Sequence, residues 1–130
     1  MKVIIDGTKF STLDEFFNEF DIQIGLKCEA DHNLDAFCDT LRGGFGRLGA
    51  GEKIEFIWKH AAKSRHDLDY EATVSYWESV REKCHPANRD KISSLITSAS
   101  RREGKTLFTI LVEIIMAKES GYNHSLVLID

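Results

Sequence analysis

Apolar residues recur along the chain with two rhythms, short β-branched runs and helical stripes. Val3-Ile4-Ile5, closed by Asp6-Gly7, has the pattern of a buried first strand followed by a turn. Ser11 or Thr12 offers a helix cap, with acids three residues on at Asp14 and Glu15, and Leu13, Phe16, Phe17 and Phe20 form the stripe that follows. Residues 21–32 carry no period and read as a loop. From Asn33 onward, Leu34, Phe37, Cys38 and Leu41 fall at i, i+3, i+4 and i+7, which predicts a helix over 33–42. Asn33 can cap this helix and Gly43-Gly44 ends it. Residues 43–52 are glycine-rich, and Ile54 to Trp58 returns to strand-like residues. Tyr70, Val74, Trp77 and Val80 mark a helix from about Tyr70 to Cys84. Pro86 suits the first turn of another, carried by Ile92, Leu95, Ile96 and Ala99 and broken at Arg101-Arg102-Glu103-Gly104. Thr106 to Glu119 is the most apolar helix, stopped by Gly121, and Leu126 to Ile129 reads as a last, fully buried strand. Strands separated by helical segments predict an α/β fold. It would be a small three-stranded parallel sheet packed with helices, with right-handed crossovers and an enlarged helical middle.

Composition narrows the class. With 130 residues, 42% hydrophobic and one proline, the expectation is a single domain over residues 1–130 with a proper core. The net charge of −4 is unevenly spread: residues 1–50 carry nine acids against five bases, and residues 51–130 carry twelve of each. Eight of those nine acids fall between Asp14 and Asp39. Such a surface repels nucleic acid and steers basic proteins toward it, so direct DNA or RNA binding is not expected. Three cysteines without paired spacing (Cys28, Cys38, Cys84) predict reduced thiols and a cytoplasmic protein. The apolar start is too short for a signal peptide and no segment is long enough to span a membrane.

The acid-rich region centres on the helix at 33–42. Asp35 and Asp39 stand four apart on a face other than the apolar stripe, with no lysine or arginine between them. Like charges at that spacing repel by a few tenths of a kcal/mol. A short helix that holds two carboxylates outward suits a basic partner. The bland alternative is a solvated face on which Arg42 neutralises Asp39 across i, i+3.

These residues carry a family resemblance. The opening Ile4-Ile5-Asp6-Gly7, the stretch Asn33-Leu34-Asp35-Ala36-Phe37-Cys38-Asp39-Thr40-Leu41, Gly43 and the closing helix and strand resemble the barstar-like ribonuclease inhibitors. The resemblance covers roughly residues 1–58 and 106–130, and the middle, about 60–105, looks like a helical insertion relative to shorter members. It implies an intracellular inhibitor, not an enzyme, whose acidic helix and preceding loop plug the active site of a basic ribonuclease or nuclease toxin. It implies no cofactor and no metal. Carried over residue by residue, it implies that Asp35 and Asp39 face cationic side chains of the nuclease, with Asp39 where a substrate phosphate would sit. The candidate nuclease-binding set around them is Glu29, Asp31, Asn33, Arg42, Gly43 and Gly44. Several positions depart from the family pattern. Glu29-Ala30-Asp31-His32 replace aromatics and a glycine, Arg42 replaces a small polar residue, and Gly44 and Gly46 stand where an aromatic and an acid are expected. A further family acid aligns near Met116, with Glu113 or Glu119 as substitutes.

Other chemistries fit less well. Gly44-Phe45-Gly46-Arg47-Leu48-Gly49 matches G-x-G-x-x-G but follows a helix and precedes a strand, the wrong context for a dinucleotide site, so backbone freedom is the better reading. Cys28 and His32, with Glu29, Asp31 and Cys38 nearby, lack the paired ligand spacing of structural zinc, and Cys38 lies on the apolar stripe. His60, His66 and His85 have no nucleophile or obvious carboxylate partner. A hydrolase built on Asp35 and Asp39 is disfavoured because catalytic carboxylate pairs normally face each other across a cleft. Arg101, Arg102 and Lys105 read as a helix-end charge effect, and Tyr76 beside Trp77 as an exposed contact on the inserted helix. An interaction module that reuses the acidic surface without inhibiting a nuclease is the alternative function.

Overall fold

The computed structural model describes residues 1–26, 32–118 and 123–130. Three five-residue strands, β1 (Lys2–Asp6), β2 (Glu55–Lys59) and β3 (Ser125–Ile129), form a parallel sheet in the order β1-β2-β3. The described helices are α1 (Leu13–Ile24), α2 (Leu34–Leu41), α3 (Ala61–Asp67), α4 (Tyr70–Lys83), α5 (Arg89–Ser100) and α6 (Leu107–Met116). Short 3-10 turns at Gly7–Lys9 and Pro86–Asn88 complete them.

Burial of aromatic surface holds these elements together. Val3 and Ile5 of β1 and Phe56 and Trp58 of β2 point to one side, where Phe16 stacks on Trp58 at 5.1 Å and Phe20 on Phe56 at 5.8 Å. Phe37 from α2 meets both α1 rings edge-on, at 5.6 Å from Phe16 and 5.1 Å from Phe20. Phe108 from α6 closes over Trp58 at 5.0 Å. Offset and edge-on contacts of this kind add about 0.5–1.5 kcal/mol each beyond area burial, so α2 is fixed to α1 and the sheet by its apolar face.

The structure departs from the sequence reading in four places. First, α1 continues to Ile24, through the stretch read as a loop, and ends at Gly25 with φ +77°. The stripe runs on through Asp21, a buried carboxylate at a core position, and that polar residue hid the period. Second, a helix at 61–67 went unread because its buried positions are Ala61 and Ser64 followed by Leu68, too few large apolar residues to mark a face. Third, α6 stops at Met116 with Ala117 extended, short of the expected Glu119, and the expected stop at Gly121 lies outside the described residues. Fourth, the outer strands are one-sided: Ile4, Val127 and Ile129 face outward, at 38%, 55% and 46% exposure.

The helical middle is more than an appendage. Thr73 of α4 is buried, and its hydroxyl donates to the Asp69 carbonyl and accepts the Leu107 N–H, each at 2.9 Å, joining the start of α4 to the start of α6. α5 packs along α4, with Arg81 donating to Ser93 Oγ at 3.4 Å. Two of the three basic residues at the end of α5 are paired: Arg102 bonds Asp69 at 3.2 Å and lies over the Tyr70 ring, and Lys105 bonds Glu113 at 2.7 Å.

Candidate functional site

α2 forms where the sequence places it because its ends and its stripe agree. Asn33 is extended, and its side-chain oxygen accepts the Ala36 N–H at 2.7 Å. Leu34, Phe37 and Leu41 are buried, while Cys38 is half-buried at the rim of the stripe. Asp35 and Asp39 are exposed, Asp39 with 67% of its side chain accessible.

The two carboxylates differ in their relation to the helix. Asp35 lies in the first turn, where the exposed N–H groups favour an anion. Asp39 lies in the last turn, against the carbonyl end, where an anion is disfavoured by about 0.3–1 kcal/mol. Arg42 partly offsets this from i+3, with its guanidinium 3.6 Å from the Asp39 carboxylate. An exposed acid at the unfavourable end of a short helix, offset by an exposed ion pair, adds little to the fold. Residues that break a local rule in this way concentrate at functional sites.

The loop after α2 is built on backbone proximity. Gly43 has φ +87°, and a Cβ there would sit 2.1 Å from the Gly49 carbonyl oxygen. Gly46 has φ +55°, and a Cβ there would meet the Ile24 carbonyl oxygen at 2.2 Å. Arg47 binds the end of α1 through its N–H to the Ile24 carbonyl at 2.7 Å and its guanidinium to the Gln23 carbonyl at 3.1 Å. Within the G-x-G-x-x-G match, Gly46 therefore serves close packing of the loop against the end of α1. Gly44 is exposed beside the end of α2.

Three residues that brace α2 were not read from sequence in that role. At its N-terminus, His32 bridges two α1 carboxylates, with Nδ1 3.0 Å from Asp14 and Nε2 2.9 Å from Asp21. Burial alone would lower its pKa, but the two carboxylates outweigh burial and raise it above the ordinary 6.5. The Leu34 N–H donates to the Tyr76 hydroxyl at 3.3 Å, so Tyr76 is half-buried against α2 and not the exposed contact expected. Burial raises the Tyr76 pKa, and the nearby Asp35 charge adds to the effect. At the C-terminus, buried His124 accepts the Ile54 N–H at Nδ1 (2.9 Å) and donates from Nε2 to the Leu41 carbonyl (2.7 Å). A backbone N–H can only donate, so the imidazole is the neutral Nε2–H form. Its burial holds its pKa below 6.5.

Of the residues the resemblance singles out, Asn33, Asp35, Asp39, Arg42 and Gly44 are exposed along α2 and at its ends, while Gly43 is half-buried by the loop that follows. Glu29 and Asp31, with Cys28 of the weighed metal group, lie outside the described residues, as does Glu119. Met116 is exposed, and Glu113 is engaged by Lys105. Among the described residues no group of three or more His, Cys, Asp or Glu is placed to hold a metal, and no helix is long and apolar enough to cross a membrane.

In comparison with known proteins, the family model described as Barstar (barnase inhibitor) matches residues 1–113. That span includes β1, α1, α2, the glycine loop, β2 and the helical middle, and ends inside α6. No curated protein and no solved structure matches the chain.

Proposed function

Because the chain belongs to the barstar family, a family of ribonuclease inhibitors, we propose that it blocks a basic ribonuclease by seating α2 in the nuclease's active site. Asp39 takes the place of a substrate phosphate, and Asp35 meets a second cationic side chain. A carboxylate offers a phosphate's charge and two acceptor oxygens, which suits bidentate arginine contacts. A helix already capped at Asn33 and braced by Tyr76 and His124 presents both acids without further ordering cost. The observation that carries this reading is the exposed Asp39 at the electrostatically unfavourable end of α2. Asn33, Gly43 and Gly44 shape the contact, and Glu29 and Asp31 add negative charge ahead of the helix. Residues 1–130 act as one domain in this role, in the cytoplasm, where such an inhibitor protects a cell from a nuclease toxin.

The Arg42–Asp39 contact favours a second reading, an interaction module whose acidic face binds a basic protein without inhibiting it. Capture from a lysate of the source cell at low salt, on wild type and on Asp35→Ala/Asp39→Ala, separates the two. Recovery on wild type alone of a small basic protein that hydrolyses RNA supports inhibition. Recovery of a basic protein without nuclease activity supports the module. Identical recovery on both proteins rejects the acidic site.

A further inference from the structure

Among the described residues the sheet has one covered face and one open face, and the open face has a pattern of its own. In the parallel register Ile4, Ile57 and Val127 stand side by side across the three strands. Ile4 and Val127 are exposed, and Ile57 between them is half-buried by its neighbours. On one side of this apolar row lie Lys2, Glu55 and Ser125, and on the other Asp6, Lys59 and Ile129. The described helices whose side chains reach the sheet do so on the other side, around Phe56 and Trp58.

From this pattern we infer that the open face is a homodimer contact: a second copy packs sheet to sheet about a two-fold axis that runs across the strands beneath the row Ile4–Ile57–Val127. That axis reverses strand direction, so each residue of the central row faces its own counterpart. Lys2 then faces the second copy's Asp6 position and Glu55 faces its Lys59 position, and each contact occurs twice. Every charge on the face meets its opposite. An axis along the strands would instead set Glu55 against Glu55 and Lys59 against Lys59, so the charge pattern selects one arrangement of the two. Aligned sheets cross at about 30°, which keeps central rows in contact.

The size of the face sets the strength of the contact. Three strands about 4.8 Å apart and five residues rising about 3.3 Å each give a face of roughly 250 Å² per copy. Stable interfaces bury about 1,200–2,000 Å² in total. The dimer is therefore weak and concentration-dependent. α2 packs on the covered side through Phe37, so each copy keeps its acidic helix accessible.

Sedimentation equilibrium from 10 to 500 µM, on wild type, Glu55→Lys, Lys59→Glu and an equimolar mixture of the two variants, tests the arrangement. Each variant alone sets like charges against each other twice, whereas the mixture restores two opposite-charge contacts. The expected result is a wild-type dimer, at least a tenfold weaker dissociation constant for each variant alone, and recovery in the mixture. Val127→Lys, on the edge strand, also abolishes association while circular dichroism shows an unchanged fold. A wild type that stays monomeric to 500 µM overturns the inference, as does a dimer that neither charge reversal weakens.

Discussion

Replacing His124 by leucine removes a side chain that satisfies two buried backbone groups far apart in sequence, the Ile54 N–H and the Leu41 carbonyl. Leucine fills a similar volume but offers neither donor nor acceptor. A buried polar group left without a partner costs about 1–3 kcal/mol, so the variant should lose roughly 2–6 kcal/mol. Of the total stability typical for a domain, about 5–15 kcal/mol, that is a large share. Urea unfolding at pH 7.5, followed by tryptophan fluorescence, reads the loss as a lower midpoint at unchanged slope. Glutamine can accept from one group and donate to the other, and His124→Gln should recover part of the loss. The pH dependence gives an independent check. Because the folded-state pKa of His124 lies below 6.5, the unfolded chain takes up the proton first as the pH falls. Its stabilising contribution is complete above about pH 6.5 and declines as the pH drops toward the folded-state value. The stability gap between wild type and His124→Gln should therefore shrink between pH 7 and pH 5.5. A His124→Leu loss below about 1 kcal/mol, or a gap that does not change with pH, would refute the double-bonded neutral imidazole.

Further consequences concern the residues around α2. His32 should show the opposite pH limb: its raised pKa makes its contribution complete below about pH 6.5 and lost as the pH climbs through the folded-state value, so the gap between wild type and His32→Gln should narrow from pH 6 to pH 9. His32→Leu, which leaves the nearly buried Asp21 carboxylate without its imidazole partner, should cost more in urea unfolding than Asp21→Leu/His32→Leu, which removes both partners. Tyr76→Phe should cost about 0.5–1.5 kcal/mol and speed amide exchange at Leu34. An effect confined to α4 would contradict its capping role. Gly43→Ala should lower the thermal midpoint by several degrees, because the added Cβ would lie 2.1 Å from a backbone oxygen. An unchanged midpoint would show that the loop can move aside.

What the sequence made legible follows from what is local. The cap at Asn33, the stripe Leu34–Phe37–Leu41 and the outward carboxylates lie within nine residues, and all appear where spacing puts them. The parallel α/β class was legible for the same reason, since each strand and most helices announce themselves within a few residues. The end of α1 was hidden because Asp21 occupies a core position, and only the partner His32, eleven residues away, explains its burial. The run Leu126-Val127-Leu128-Ile129 read as fully buried because a continuous apolar strand does not reveal whether one face is covered or two. His124 and Tyr76 act on α2 across 83 and 42 residues, and no periodicity or spacing encodes contacts of that range.

The most direct test is titration of the captured ribonuclease with wild type, Asp35→Ala, Asp39→Ala and the double variant, reading RNA hydrolysis at low and high salt. Two hydrogen bonds to charged groups, at about 1.5–3 kcal/mol each, predict that the double variant inhibits at least a hundredfold more weakly. Wild-type association should slow as salt rises. A ribonuclease that stays fully active when saturated with wild type, or one inhibited equally by the double variant, would contradict the account.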